Sequence, residues 1–201
     1  MCSGPILRGK PTYALLSERV PQPKVLVKEE ALHKLAGRYF TSRCQATLQD
    51  FTWWSGLSVR DARQALELVK AEFTSALIDG HTYWFTDRVL IPPDKEPSIH
   101  LLPSYDEFII SYSDRSSSIP GRLEKHMKQI SDRGVFRPVV VIDGQVTGIW
   151  KRTEAKNTIT IGIEPFSELS LPMNEQIEAA AVQFAAYAGK KLIFSPPIYT
   201  A

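Results

Sequence analysis

The stretch GLSVRDARQALELV, from Gly56 to Val69, has the pattern of a turn, an N-cap and an amphipathic helix. Ser58 is placed as the cap, and Asp61 stands three residues further on, which is a variant of the capping box. Apolar residues then recur every three or four positions, so one side of the helix is expected to be buried. The predicted buried stripe consists of Val59, Ala62, Leu66 and Val69.

Two more helices are predicted before this one. Apolar residues at helical spacing predict a helix over residues 28–43. In the next segment Thr47 is a good N-cap, Asp50 follows three residues later, and Gly56 is placed to end the helix. After the third helix, Asp79-Gly80 between two β-rich runs predicts a hairpin. Three helices and a hairpin are the pattern of a winged helix-turn-helix, which we place at residues 28–91.

The rest of the chain predicts a different architecture. After a linker beginning at residue 92, a strand or short helix broken at Pro103 and a helix over 122–130 are expected. From residue 134 the apolar residues alternate with a period of two, which predicts a hairpin turning at Asp143-Gly144 and a strand over 157–166. A helix from an N-cap at Asn174 to Gly189 and a last strand are predicted after them. We therefore predict an α+β protein whose residues 92–201 form a small barrel-like domain with one covering helix.

Composition excludes several classes of protein. The 201 residues are 43% hydrophobic and 23% charged, as in an ordinary soluble globular protein. No apolar run approaches the ~18 residues of a membrane span, and the N-terminus does not have the pattern of a signal peptide. Cys2 and Cys44 are interpreted as free thiols in a reducing cytoplasm. The four histidines lack metal-ligand spacing, so neither a metal nor a cofactor is predicted.

The charge distribution does not favour a strong autonomous DNA-binding domain. The formal net charge is only +2, and residues 28–91 contain eight basic and eight acidic residues. Residues 1–27 have four basic residues against one acidic residue. A domain that binds nucleic acid on its own is usually far more basic.

The outward face of the third helix is the first candidate binding surface. Arg60, Arg63, Gln64 and Glu67 share this face. Arginine and glutamine side chains contact phosphates and the edges of guanine and adenine. The alternative is a solvated helix face with an Arg63–Glu67 ion pair, and the residues alone leave both interpretations open.

Further candidates lie at the hairpin and in the C-terminal domain. His81 and Thr82 are expected at the hairpin tip, where they either contact DNA or only accommodate the turn. Lys151 and Arg152, with Arg137 and Lys156, are expected near strand ends and form a second candidate phosphate surface, with ordinary surface charge as the alternative.

Two other polar and aromatic groups are interpreted as structural. Asp106, Glu107, Asp114 and Arg115 form the most site-like polar cluster. If Asp106 and Glu107 are neighbours on a strand, they point to opposite faces and cannot share a proton. We expect Asp106 or Asp114 to bond to the backbone or to Arg115. Trp53 and Trp54 are adjacent and point in different directions, and Trp54 or Phe51 is expected in the core. The other tryptophan either packs against the C-terminal domain, which is the favoured interpretation, or is exposed for a partner.

Four phrases together resemble one known family. They are MCSGPILRGKPTYALLSERVP, TLQDFTWWSGLSVRDAR, LLPSYDEFIISYSDR and GVFRPVVVIDGQVTGIWKR. They are similar to the bacterial winged-helix family that includes DNA glycosylases acting on bulky alkylated bases and interstrand cross-links. The resemblance implies tandem winged helices and a C-terminal β-barrel, arranged as a clamp around duplex DNA. It also implies that this chain corresponds to the C-terminal part, with residues 1–27 as a remnant of a preceding winged helix and a Pro-rich linker.

One departure from the family's pattern concerns catalysis. The glycosylases have a pair of glutamines, or a glutamine and an aspartate, on either side of one apolar residue. No such triplet occurs here, so no catalytic residue is assigned. The leading hypothesis is a duplex DNA-binding part of a repair-type clamp. The alternatives are a glycosylase whose catalytic part is missing or supplied by another chain, and an interaction module that does not bind DNA.

Overall fold

The computed structural model describes residues 2–8, 10–20, 25–43, 45–86, 97–195 and 197–198. It has a mixed α+β architecture, in which a helical unit is joined to a curled half-barrel sheet. Parts of the predicted linkers at 21–24 and 87–96 lie outside the described residues, and with them the predicted boundary at 91–92. Among the described residues, no helix is long and apolar enough to cross a bilayer.

The first segment contains a small hairpin. Strands β1 (Cys2–Ser3) and β2 (Tyr13–Ala14) pair antiparallel, and helix α1 (Leu16–Arg19) follows directly. Large apolar side chains of this segment face solvent, including Ile6, Leu7, Tyr13, Leu15 and Leu16. A two-stranded hairpin of this kind is at best marginally stable in isolation.

The helical unit begins at residue 28 and has the predicted order of helices. Its elements are α2 (Lys28–Ser42), β3 (Ala46–Thr47), α3 (Leu48–Ser55), α4 (Val59–Val69), β4 (Thr74–Ile78) and β5 (His81–Phe85), with a 3-10 turn at Lys70–Glu72. Thr47 and Asp50 form a complete capping box, Ser58 caps α4, and Gly56 ends α3 with a φ of 66°. The local signals therefore fix both helix starts and the turn between them.

The sequence did not predict strand β3. It pairs antiparallel with β5, which gives a three-stranded sheet in the order β3–β5–β4. A strand of two residues is too short to show an alternating pattern, so only its partner reveals it.

The core of the helical unit contains the predicted buried residues of α4 except one. Tyr39, Phe40 and Phe51 are fully buried and lie within 5.4 Å of one another, measured between ring centroids. On α4 the buried residues are Ala62, Ala65, Leu66 and Val69. Val59 was expected in this stripe but is 56% exposed. It is the first residue of α4 and lies at the edge of the stripe, beside an open cleft.

The C-terminal sheet has five strands in the order β12–β11–β10–β9–β6. The strands are β6 (Ile99–Leu102), β9 (Val139–Ile142), β10 (Gln145–Glu154), β11 (Thr158–Pro165) and β12 (Lys191–Ser195). Only the β11–β12 pair is parallel. One face packs on helix α7 (Leu171–Tyr187), and the other packs on Ile109, Ile119, Leu123 and Ile130. A register shift between Val146 and Gly148 interrupts the β9–β10 ladder, and such irregularities bend a strand.

In this half the structure contains both the strand and the short helix that were alternatives around Pro103, and it contradicts two local predictions. Residues 103–115 contain helix α5 (Glu107–Ile110) with Asp106 as its N-cap, so Asp106 and Glu107 are not neighbours on a strand. Instead of the predicted helix over 122–130, the structure has a 3-10 helix, Gly121–His126, followed by the single α-helical turn α6 (Met127–Ile130). A short hairpin of β7 (Ser131–Asp132) and β8 (Val135–Phe136) comes next. Asn174 lies inside α7, because Pro172 favours a helix start at Leu171, with Ser170 as the N-cap.

Candidate nucleic-acid interface

The outward face of α4 presents its polar residues together. Arg60, Arg63 and Gln64 are all exposed, opposite the buried stripe of the same helix. Glu67 pairs with Lys70 at 2.6 Å, so the alternative Arg63–Glu67 pair is not formed. Within the described ranges no carboxylate pairs with Arg60 or Arg63. Both guanidinium groups are therefore available to an external anion.

The acidic residue next to these arginines is already in an ion pair with another residue. The Asp61 carboxylate accepts a hydrogen bond from Lys28 Nζ at 2.7 Å. This contact is the largest cause that holds the pKa of Asp61 below its ordinary value, and Arg60 adds to it. Asp61 is therefore ionised, and its hydrogen-bonded cation is Lys28 and not Arg60.

His81 lies beside the junction with the C-terminal half. Asp79 and Gly80 both have positive φ, 48° and 80°, as a type I′ hairpin turn requires, and His81 follows them on β5 in an exposed position. Asp114 accepts a hydrogen bond from the backbone N–H of Ser116 at 2.9 Å, and this bond is the main reason that the pKa of Asp114 is lowered. His81 and Asp114 line the same small depression.

The C-terminal cations differ from those of α4. Lys151 Nζ pairs with Glu164 at 2.5 Å, while Arg152 pairs with Glu154 at 3.3 Å and lies 5.3 Å from the ring centroid of Phe184. As neighbours on β10, Lys151 and Arg152 project from opposite faces of the sheet. Arg137 is exposed between β8 and β9. These residues do not form one continuous patch, and two of them already have acidic partners.

The sequence did not reveal the polar network between the two halves. Glu107 accepts hydrogen bonds from Arg43 Nη2 at 2.6 Å, Ser111 Oγ at 2.5 Å and Trp54 Nε1 at 3.1 Å. The bond from Ser111 and then that from Arg43 hold the pKa of Glu107 below its ordinary value. Because the partners of Glu107 include residues more than fifty positions away, no local signal could have identified them.

Asp50 and the two tryptophans extend this junction. Asp50 is buried and accepts hydrogen bonds from the backbone N–H and hydroxyl of Ser113. Trp54 packs against the helical core, whereas Trp53 Nε1 donates to the carbonyl of Ile110 at 3.1 Å. One tryptophan thus packs on the core as expected, while Trp53 contacts the C-terminal half through this bond and is also 56% exposed. The prediction that Asp106 bonds to the backbone is confirmed, because its carboxylate accepts a hydrogen bond from the backbone N–H of Phe108.

A helical unit joined by a polar network to a curled half-barrel sheet defines the structural class of this chain. A family model described as DNA glycosylase AlkZ-like matches residues 2–187, and the chain belongs to this family. Its structure is similar to that of the DNA glycosylase AlkZ of Streptomyces sahachiroi, with a TM-score of 0.72 and 21% sequence identity over 96% of this chain. The chain spans 54% of the length of that AlkZ structure. A comparison with curated proteins finds no match.

Proposed function

We propose that the chain binds duplex DNA through α4 and the neighbouring hairpin, as part of a repair-type clamp, and that it does not itself catalyse base excision. One observation carries this proposal: Arg60, Arg63 and Gln64 lie together on an exposed helix face and have no acidic partner among the described residues. Free cations on one face are what a polyanion requires, because they need not first break an ion pair.

The arrangement of elements supports a winged helix-turn-helix over residues 28–91. Three helices are followed by the β4–β5 hairpin, and the short strand β3 between the first two helices completes the sheet. In helix-turn-helix proteins the second helix of the motif enters the major groove, and here that helix is α4. The hairpin turn with His81 would then contact the sugar-phosphate backbone of the DNA beside the major groove.

Separate phosphate contacts from the C-terminal half are also part of the proposal. Arg137, Lys151 and Arg152 are exposed but do not form one patch, and Lys151 would exchange Glu164 for a phosphate. Because this exchange breaks an existing ion pair, Lys151 contributes less to affinity than Arg60 or Arg63.

A further winged-helix portion, in the same or another polypeptide, is proposed to cover the first segment. The support is the set of apolar side chains exposed around the β1–β2 hairpin. Neighbouring Arg8, Lys10 and Arg19 would extend the cationic surface.

Duplex binding is tested by fluorescence anisotropy with a labelled duplex over a range of salt concentrations. Arg60→Ala and Arg63→Ala should each weaken binding and make the plot of log affinity against log salt shallower by about 0.9. Lys125→Ala is the matched control, because Lys125 is exposed and carries the same charge but belongs to neither proposed surface. Unchanged affinity and slope in both arginine variants would show that α4 is not the binding surface. Absence of any complex at low salt would favour an interaction module instead.

Base excision is the second candidate function, because the family's description is that of a DNA glycosylase. The chain has no glutamine pair separated by one apolar residue to support it. Incubation with an alkylated duplex, followed by alkaline cleavage at abasic sites, decides between the two. We expect no cleavage above the protein-free control, and enzyme-dependent cleavage would replace the binding proposal with catalysis.

A further inference from the structure

An open cleft of about 750 Å³ lies beside α4, and of the residues proposed above to contact DNA, His81 alone lines it. It is bounded by α3, by the first turn of α4 and by the hairpin turn that carries His81. Its apolar wall is formed by Leu48, Trp53, Val59, Leu66 and Trp84. Clefts of this size with a mostly apolar lining are typical of small-molecule sites.

Trp53 provides a flat and oriented surface in this cleft. Its side chain is 56% exposed, although its indole N–H is held by the Ile110 carbonyl. The Arg115 guanidinium lies 5.4 Å from the ring centroid. The ring is therefore fixed by two contacts while much of its surface remains accessible. An immobilised indole is a suitable stacking partner for another aromatic ring.

Polar side chains at the rim of the cleft can form hydrogen bonds with the edge of a planar ligand. The Gln49 side chain is exposed on the first turn of α3. Within the part of the chain that the structure describes, its amide forms no hydrogen bond. An amide offers both a donor and an acceptor, and His81 and Thr82 lie on the opposite rim. None of the described residues that line the cleft is acidic.

The cleft opens next to the cationic face of α4. Val59 at its mouth directly precedes Arg60, and Arg63 is one turn further along the same helix. An aromatic slot with amide edges beside free cations matches the two parts of a nucleotide, a planar base and a phosphate. We propose that this cleft holds an unpaired, extrahelical nucleobase of the DNA strand whose phosphates contact α4. This inference rests on the proposed duplex binding.

The test compares two duplexes of the same sequence, one fully paired and one with a single bulged 2-aminopurine. The protein should bind the bulged duplex about ten-fold more tightly, because the unpaired base pays little unstacking cost and gains stacking in the cleft. The 2-aminopurine fluorescence should fall on binding, since the base stacks on Trp53. Equal affinities for the two duplexes would overturn this inference and leave duplex binding intact. Absence of binding to both would overturn duplex binding and this inference together.

Two matched variants locate the base. Val59→Trp places an indole in the mouth of the cleft at an exposed position, so the ratio of the two dissociation constants should fall to about 1. Leu77→Trp adds the same side chain at a 74% exposed position outside the lining and should keep the ratio of the unmodified protein. Gln49→Ala should lower the ratio through loss of the amide. A ratio that Val59→Trp and Gln49→Ala both leave unchanged would place the base elsewhere.

Discussion

The carboxylate of Asp50 joins its own helix to Ser113, a residue 63 positions later in the chain. One oxygen accepts from the backbone N–H and the hydroxyl of Thr47, at 2.9 and 2.7 Å, and so completes the cap of α3. The other accepts from the backbone N–H of Ser113 at 2.8 Å and from its hydroxyl at 3.1 Å. A helix cap is thus also a contact that positions the C-terminal half against the helical unit.

Asp50→Ala should destabilise the protein strongly. The substitution leaves several part-buried donors without their acceptor and removes the helix cap, and we expect a loss of about 2–4 kcal/mol in the free energy of unfolding. Urea denaturation followed by tryptophan fluorescence measures this loss. Asp61→Ala is the control, because Asp61 has the same position in α4 but its partners, Lys28 and Ser58, are exposed, and it should cost about 1 kcal/mol or less. Similar losses in both variants would show that Asp50 acts only as a local cap.

Glu107 should make stability depend on pH in the acid range. Its pKa is lower in the folded protein than the ordinary value of 4.5, because Ser111 and Arg43 donate to its ionised form. The unfolded chain therefore binds the proton first as the pH falls, and stability decreases as the pH falls through the folded pKa. The contribution is fully present above the unfolded pKa.

Urea denaturation at several pH values tests this dependence with Glu107→Gln as the comparison. The difference in unfolding free energy between the two proteins should be constant at neutral pH and should shrink as the pH falls below about 4.5. A difference that does not change with pH would mean that the charge of Glu107 does not contribute.

Gly148 should tolerate no side chain. A Cβ built on it would lie 2.8 Å from the carbonyl oxygen of Glu164 and 2.9 Å from the Cα of Pro165, both backbone atoms of the next strand. Gly148→Ala should therefore cost about 1–3 kcal/mol in unfolding free energy. Gly162→Ala, where the nearest atom is Ser195 Cβ at 3.8 Å, is the matched control and should cost less. Equal stability of the two variants would contradict the close strand approach at Gly148.

The ion pair between Lys151 and Glu164 should limit DNA affinity. Glu164→Gln removes the acidic partner, so Lys151 becomes available to a phosphate and duplex binding should tighten by about two- to five-fold at low salt. Lys151→Ala should weaken binding, and the double variant should bind no more tightly than Lys151→Ala alone. Anisotropy titrations measure all three proteins. If Glu164→Gln tightens binding equally in the presence and absence of Lys151, the effect is one of net charge and not of this pair.

Elements with local signals could be predicted from the order of residues alone. The capping box of Thr47 and Asp50, the cap at Ser58 and the turn at Asp79-Gly80 all involve bonds between residues within four positions, so their patterns can be read directly. The exposed face of α4 followed from helical periodicity for the same reason.

The pairing of side chains that are distant along the chain could be learned from the folded structure but not from the sequence. Glu107 contacts Arg43, Lys151 is paired with Glu164, Val59 faces an open cleft, and the two-residue strand β3 exists because β5 lies beside it. Each of these facts depends on residues that are distant in sequence and become neighbours only when the two halves pack. Local spacing carries no information about such neighbours, because hydrogen bonds and ion pairs act over a few ångströms in space, whatever their separation along the chain.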